Sequence, residues 1–573
     1  DSSTFTRYHS TRWSESSIDR HEAFLQSRLD ELMKLDLAPL SPTARIDAVL
    51  LRNDIRGDIA RLRLGRRQLA EMGDLLSVRT VIVPLEEARW KTNPPQHIEP
   101  RAAADQLALV PGLVKEVRDR VEAWRRLSAD DKAKARSTAA AGGPLEVGAV
   151  TAQRAAGALA SMSATLRTWY DGRNAFEPGF GWWCAKPYGE AQKAIDDFAK
   201  LLREEIAGVK GKPDDPLIGD PIGREALLEE LRNECVAATP EELIQIGERE
   251  MAWCLDQARA AARAMGFEQN GGDWKAALAK VKEDTAPAGE QGAYVVGVAR
   301  EAIDFVKRRD LVTVPPMCEA YWKPSMLSAE SQRTLPFAVY FPQAIGIASP
   351  TDGMGHDDKV MSMRGNNRRF TRIVVPHELI PGHHLQSFYA AREKPHRRRF
   401  STPFYVEGWA LYWEMKLWDL SEPAPQEPAS AGASAGDPWA KSPEDRLGML
   451  FWRMHRCARI TVSLRFHLGE MSPKQMIDYL MENVGHERAN AAAEVRRYIG
   501  GDYGPLYQAG YMIGGKQLRA LHAELVPSRM SEKQFNDAVL HCGPIPIELV
   551  RAELLGADGP ALSLQDEASW RFK

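Results

Sequence analysis

The chain has 573 residues, of which 44% are hydrophobic and 27% charged, with a formal net charge of −3 and a pI near 6.6. This supplies ample material for a large core, and the near-neutral balance offers no basic footprint for nucleic acid. No apolar run approaches the ~20 residues that span a bilayer, so membrane insertion is not expected.

Helix signals dominate from the start, and residues 1–310 are expected to form a mostly helical N-terminal lobe, followed by a catalytic region over 311–573. Thr239-Pro240-Glu241-Glu242 supplies an N-cap, a first-turn proline and two acidic first-turn residues. The pattern turns β-like around Leu335 to Phe341, where Phe337, Val339 and Phe341 alternate, and again over Arg372 to Val375. Paired as a small sheet, these segments would offer an edge for main-chain binding of an extended peptide. Basic runs at Arg364 to Arg372 and at Arg397-Arg398-Arg399 are solvated faces, or receivers of an acidic group.

The centre of the chain carries His377-Glu378-Leu379-Ile380-Pro381-Gly382-His383-His384. In H-E-x-x-H, two histidines one turn apart share a face and grip one zinc ion, while the glutamate handles the proton of the attacking water. Here Pro381 stands where the second histidine belongs. On a regular helix, at ~100° per residue, His383 lies ~240° around from His377, and His384 returns to that face only ~10.5 Å further along. Pro381 removes the N–H that would bond the carbonyl of His377, and Gly382 accepts almost any backbone angle. A bulge or break at this pair brings His383 back onto His377, so His383 is expected as the ligand in preference to His384. Pro376 reads as a first-turn residue of this helix.

Downstream, Glu407 stands in the apolar segment Tyr405-Val406-Glu407-Gly408-Trp409-Ala410, where an unpaired carboxylate is costly. It is expected as the third ligand, leaving one open position for water. Glu414 reads as a helix-surface charge. Pro423 to Pro438, rich in Pro, Ala, Ser and Gly, reads as a mobile surface insertion, with an active-site lid as the other reading. Ser472-Pro473 and Ser531-Glu532 open two further helices, the second ending at Gly543. Tyr498, Tyr503, Tyr507 and Tyr511 are rival phenols for an oxyanion-stabilising role. Glu494 and Asp502 are candidates to orient a histidine ligand. The six cysteines are scattered without a C-x-x-C pair and give no zinc-finger signal.

The motif H-E-x-x-P-G-H-H-L-Q, followed by E-G-W-A-L-Y, resembles the bacterial DUF885 family of uncharacterised, expected zinc metallopeptidases. The resemblance continues through Ala493 to Ile499, Pro505 to Gly514 and Gly543 to Ile547. It implies a mainly α fold similar to large helical, gluzincin-like peptidases, with two lobes flanking a central channel and a small β-sheet beside the zinc helix. It further implies His377, His383 and Glu407 as ligands to one Zn²⁺ per chain, Glu378 as general base and Tyr511 as oxyanion donor. His384 and Tyr507 are expected to contact substrate. Where the family's late motif reads P-G-Q-A-x-x-Y-x-x-G, this chain has Leu506 and Tyr507 at the Gly and Gln positions.

The expected activity is therefore zinc-dependent hydrolysis of short or unstructured peptides. The alternatives are a zinc hydrolase of another amide or ester, and a catalytically inactive binding protein. Exported members of the family favour a periplasmic or secreted location over the cytoplasm; no signal peptide is present, but the chain starts at Asp1 rather than Met, which keeps an exported precursor open.

Overall fold

The computed structural model describes residues 13–90, 98–137, 142–212, 215–421, 438–501, 503–567 and 569–572. They are mainly helical, with one three-stranded sheet. The chain divides into two compact units, one of residues 1–32 and 55–220, the other of 33–54 and 221–573. The boundary expected at residue 310 falls inside the second unit. No described helix is long and apolar enough to cross a membrane. The expected insertion at 423–438 lies outside the described residues except for Pro438.

The first unit is a helical assembly with its own core. Helix Pro100–Arg126 starts with a proline in its first turn, and the Glu99 side chain accepts from the N–H groups of Arg101 and Ala102. Its buried stripe of Leu107, Val110, Val114, Val117 and Val121 alternates spacings of three and four, which keeps one face turned inward. That stripe meets Leu159, Met162 and Leu166 of helix Ala149–Asn174, and Ile195 and Phe198 of helix Pro178–Leu201.

The second unit holds the sheet and every residue of the predicted site. Strands β1 (Lys323–Met326), β2 (Val339–Phe341) and β3 (Ala344–Ile347) lie in the order β1-β3-β2. The first pair is parallel and the second antiparallel, so β2 is an edge. Of the helices that follow, seven bear on the site: α1 (Arg368–Glu378), α2 (His383–Ala390), α3 (Pro403–Asp419), α4 (Pro443–His467), α5 (Arg488–Ile499), α6 (Tyr507–Leu525) and α7 (Glu532–His541). The capping boxes at Thr239, Ser472 and Ser531 form as their sequences imply, and Gly543 lies just past α7 at φ +81°.

Two expectations around α1 are corrected. Residues 372–375 are helical rather than extended, and Pro376 lies near the end of the helix rather than in its first turn. The helix begins earlier because the Asn367 side chain caps it, accepting from Arg369 and Phe370 N–H. Burial of Ile373, Val374 and Val375 then outweighs their β preference.

Helices α3 and α6 approach each other most closely at glycines. A Cβ on Gly408 would come 2.7 Å from Gly514 Cα, one on Gly510 2.9 Å from the Pro403 carbonyl carbon, and one on Gly514 would collide with the carbonyl oxygen of Phe404. The backbones therefore touch directly. Helix α4 is buried on nearly every side from Leu447 to His467, although it carries Arg453, His455, Arg456 and Arg459. A helix buried all round must find partners for each such group.

Candidate metal centre

The two-residue excess in the histidine motif is absorbed by breaking the helix. Helix α1 stops at Glu378, residues 379–382 form a tight connection with a cis Ile380–Pro381 bond, and α2 begins at His383. The Trp409 indole N–H donates to the Pro381 carbonyl at 2.9 Å, which ties the connection to α3. Gly382 has φ −80°, so a left-handed angle is not what requires glycine there. Space requires it: a Cβ would collide with the carbonyl oxygen of His377.

This break sets the His377 and His383 rings 4.8 Å apart and nearly perpendicular. Glu407, from α3, completes a group whose candidate ligand atoms all lie within 4.8 Å of one another. Its Oε2 is 3.1 Å from His383 Nε2 and 3.7 Å from His377 Nε2. All three residues are buried. Glu378 reaches the same place, with Oε1 3.9 Å from His377 Nε2, while its Oε2 accepts the Tyr340 backbone N–H at 2.8 Å. The edge strand β2 thus holds the expected base.

Glu414 is not a surface charge. It is buried, and its Oε1 lies 2.7 Å from His377 Nδ1. Seven residues carry a helix through ~700°, so Glu414 shares the face of Glu407 two turns on. One carboxylate meets each nitrogen of the same imidazole, which fixes the ring's orientation. The other proposed orienting groups differ: Glu494 accepts instead from Arg459, Arg497 and Tyr498, and Asp502 lies outside the described residues.

The site attracts positive charge. Burial opposes charging of His377, yet Glu407 and Glu414 lift its pKa to about 9. Burial likewise opposes ionisation of Glu407, but His383 and His377 hold its carboxyl well below the usual range. A field that stabilises a proton here against burial also favours a bound cation. Two imidazoles and one carboxylate are the donor types that hold zinc through three protein ligands elsewhere, so the group fits a metal ion.

The phenols divide. Tyr507 OH donates to Glu407 Oε1, the oxygen facing away from the two histidines' closest contacts. The Tyr511 ring stacks on His377 at 6.1 Å and 7°, and its hydroxyl has no hydrogen-bond partner among the described residues. Burial and the nearby Glu407 push the Tyr511 pKa up to about 12, so it stays a proton donor. Tyr498 is committed to Glu494, whereas Tyr503 lines the cavity beside Tyr507. His384 does not line it: its Nε2 lies 2.9 Å from the Cys318 carbonyl oxygen.

A cavity of about 250 Å³ opens onto His377, Glu378, His383 and Glu407. Residues 335–340 form one wall and Arg456, Arg459 and Arg497 another. These arginines were not singled out in the sequence. The basic runs that were are engaged elsewhere: Arg369 pairs with Asp284 and Asp445, Arg372 with Glu301, and the buried Arg397 with Asp47 and Glu553.

Solved structures share the fold. A protein from Shewanella oneidensis described as a "putative lipoprotein of unknown function" superimposes with a TM-score of 0.64 at 15% identity, over 95% of this chain and 93% of its own. A "putative lipoprotein" from Colwellia psychrerythraea gives 0.54 at 16% identity, over 94% and 90%. No curated protein matches the sequence. Residues 5–554 match the family described as "Bacterial protein of unknown function (DUF885)", and the chain belongs to the DUF885 family.

Proposed function

We propose that this protein is a zinc-dependent peptidase acting on short or unstructured peptides. One observation carries the reading: His377, His383 and Glu407 converge within 4.8 Å on a cavity that Glu378 also lines. A zinc ion held by these three residues would acidify a bound water to a pKa near ~7 and polarise the carbonyl under attack.

The remaining work falls to the chain's own groups. Glu378, steadied through Oε2 by the Tyr340 N–H, accepts the proton of the attacking water and returns it to the leaving nitrogen. The Tyr511 hydroxyl donates to the oxygen of the attacked carbonyl as charge develops there. Tyr507 holds Glu407 through its second oxygen. Strand β2 is a sheet edge, and beyond the Tyr340 N–H that Glu378 takes, it and the cavity-lining residues 335–338 before it offer main chain to an extended peptide; such binding discriminates little between side chains. A periplasmic or secreted location goes with this reading, in keeping with the lipoprotein descriptions of the two similar structures.

The test is metal content by plasma mass spectrometry for wild type and His383→Ala, with cleavage of a mixed peptide library by wild type and Glu378→Gln. The expected result is one zinc per chain, lost with His383, and cleavage lost with Glu378 while zinc stays bound. Absence of metal after reconstitution would overturn the metal site. Bound zinc without peptide cleavage would move the assignment to another amide or ester, or to a binding protein.

A further inference from the structure

We propose that Arg456, Arg459 and Arg497 form a carboxylate-binding subsite that receives the free C-terminus of the substrate, so that cleavage falls close to that end. The inference rests on the peptidase reading above and names its substrate class.

Arg456 and Arg459 stand three residues apart on α4, on one face of the helix, and α5 brings Arg497 to the same cavity wall. Arg456 is 4% exposed and Arg459 2%. Three guanidiniums here share two carboxylates. Glu494 accepts from Arg459 Nη2 at 2.8 Å and Arg497 Nη2 at 3.1 Å. Glu414 accepts from Arg456 Nη2 at 3.2 Å and is already engaged by His377. Arg459 Nη1, Arg456 Nε and Arg497 Nε are buried with no hydrogen-bond partner.

A purely structural role accounts for only part of this. Arg456 and Arg459 lie 4.6 and 4.3 Å from the centre of the Tyr511 ring, a cation–π arrangement that uses the arginine face; Arg459 Nε donates to the Tyr498 hydroxyl at 2.9 Å, and Arg459 Nη1 and Arg456 Nε stay without a partner. Buried donors without partners are costly unless an acceptor arrives. A carboxylate presents two oxygens to the guanidinium fork, the geometry for which arginine is suited. Distance sets which carboxylate. The Tyr511 ring is 4.3 Å from Arg459 Cζ and 6.1 Å from the His377 ring, so the subsite lies no further from His377 than those two steps together. An extended residue spans about 3.3–3.6 Å, so at most about three residues bridge the scissile bond and the arginines.

The experiment uses three peptides of one length: a neutral sequence with a free C-terminus, its C-terminal amide, and an amide carrying Glu just after the scissile bond. Turnover is measured on the zinc enzyme, and binding by calorimetry on zinc-loaded Glu378→Gln. Charged hydrogen bonds of about 1.5–3 kcal/mol imply that wild type favours the free acid over the amide by about 10–100-fold. In Arg497→Gln, with zinc content and circular dichroism unchanged, that ratio should fall towards one. Equal binding of acid and amide would overturn the subsite whether or not either is cleaved. Acid-selective binding without any cleavage supports the subsite and overturns the peptidase reading. A Glu-containing amide that matches the free acid would overturn the C-terminal assignment in favour of an acidic side chain.

Discussion

Replacing Glu414 by Gln tests whether this buried carboxylate tunes the metal centre. The substitution keeps the side chain's shape, and an acceptor oxygen remains for His377 Nδ1 and for Arg456. What disappears is the charge behind the 2.7 Å contact to Nδ1. Hydrogen bonds to ionised groups contribute about 1.5–3 kcal/mol, and 1.4 kcal/mol is tenfold in affinity. Zinc should therefore bind about 10–100-fold more weakly, the range found for groups that orient metal ligands elsewhere. Competition against a zinc-sensitive fluorescent chelator measures the change, with Glu407→Gln as the reference that loses a donor outright and should fall further. If Glu414→Gln leaves affinity within about threefold of wild type while Glu407→Gln abolishes binding, the charge on Glu414 does not tune the site.

Two further perturbations probe the frame around the site. Ala at Gly514 collides with the Phe404 carbonyl, and neither backbone can yield, so α3 and α6 must separate at a cost of at least about 1–3 kcal/mol; Gly157→Ala, exposed in helix Ala149–Asn174 with nothing near its Cβ, should instead stabilise by about 0.5–1 kcal/mol. Equal urea midpoints for the two variants would refute the seam. Glu532 links three helices, accepting from His522 Nε2 of α6 at 2.9 Å and Lys416 Nζ of α3 at 2.5 Å. Burial opposes its ionisation, but His522 and Lys416 outweigh burial and bring its pKa to about 2. Its stabilisation is complete above the unfolded value near 4.5 and is lost as pH falls towards 2. Glu532→Gln should thus cost roughly 3 kcal/mol at pH 7 and little at pH 2, read from urea midpoints of both proteins. A difference that persists unchanged at pH 2 would contradict this.

The sequence carried the convergence of His377, His383 and Glu407 because each departure from pattern had a local cause. Pro381 and Gly382 marked the break, and Glu407 stood out as a carboxylate in an apolar helix. It carried the helix starts at Thr239, Ser472 and Ser531, whose caps are satisfied within four residues. It misled where long-range burial decides: Ile373, Val374 and Val375 look extended until a core covers them. The heptad spacing of Glu407 and Glu414 was legible, but a helix surrounded on all sides gives no solvent face against which to judge a charge. The same holds for Arg456 and Arg459, whose partners come from α3 and α5. Runs of arginine drew the eye, whereas three arginines interleaved with apolar residues line the cavity.

The glycine seam has a consequence for the site it carries. Since backbone meets backbone at Gly408, Gly510 and Gly514, neither α3 nor α6 can turn or slide far against the other without collision. The angular phase of Glu407, Tyr507 and Tyr511 is therefore locked by steric exclusion, before any ion is gripped.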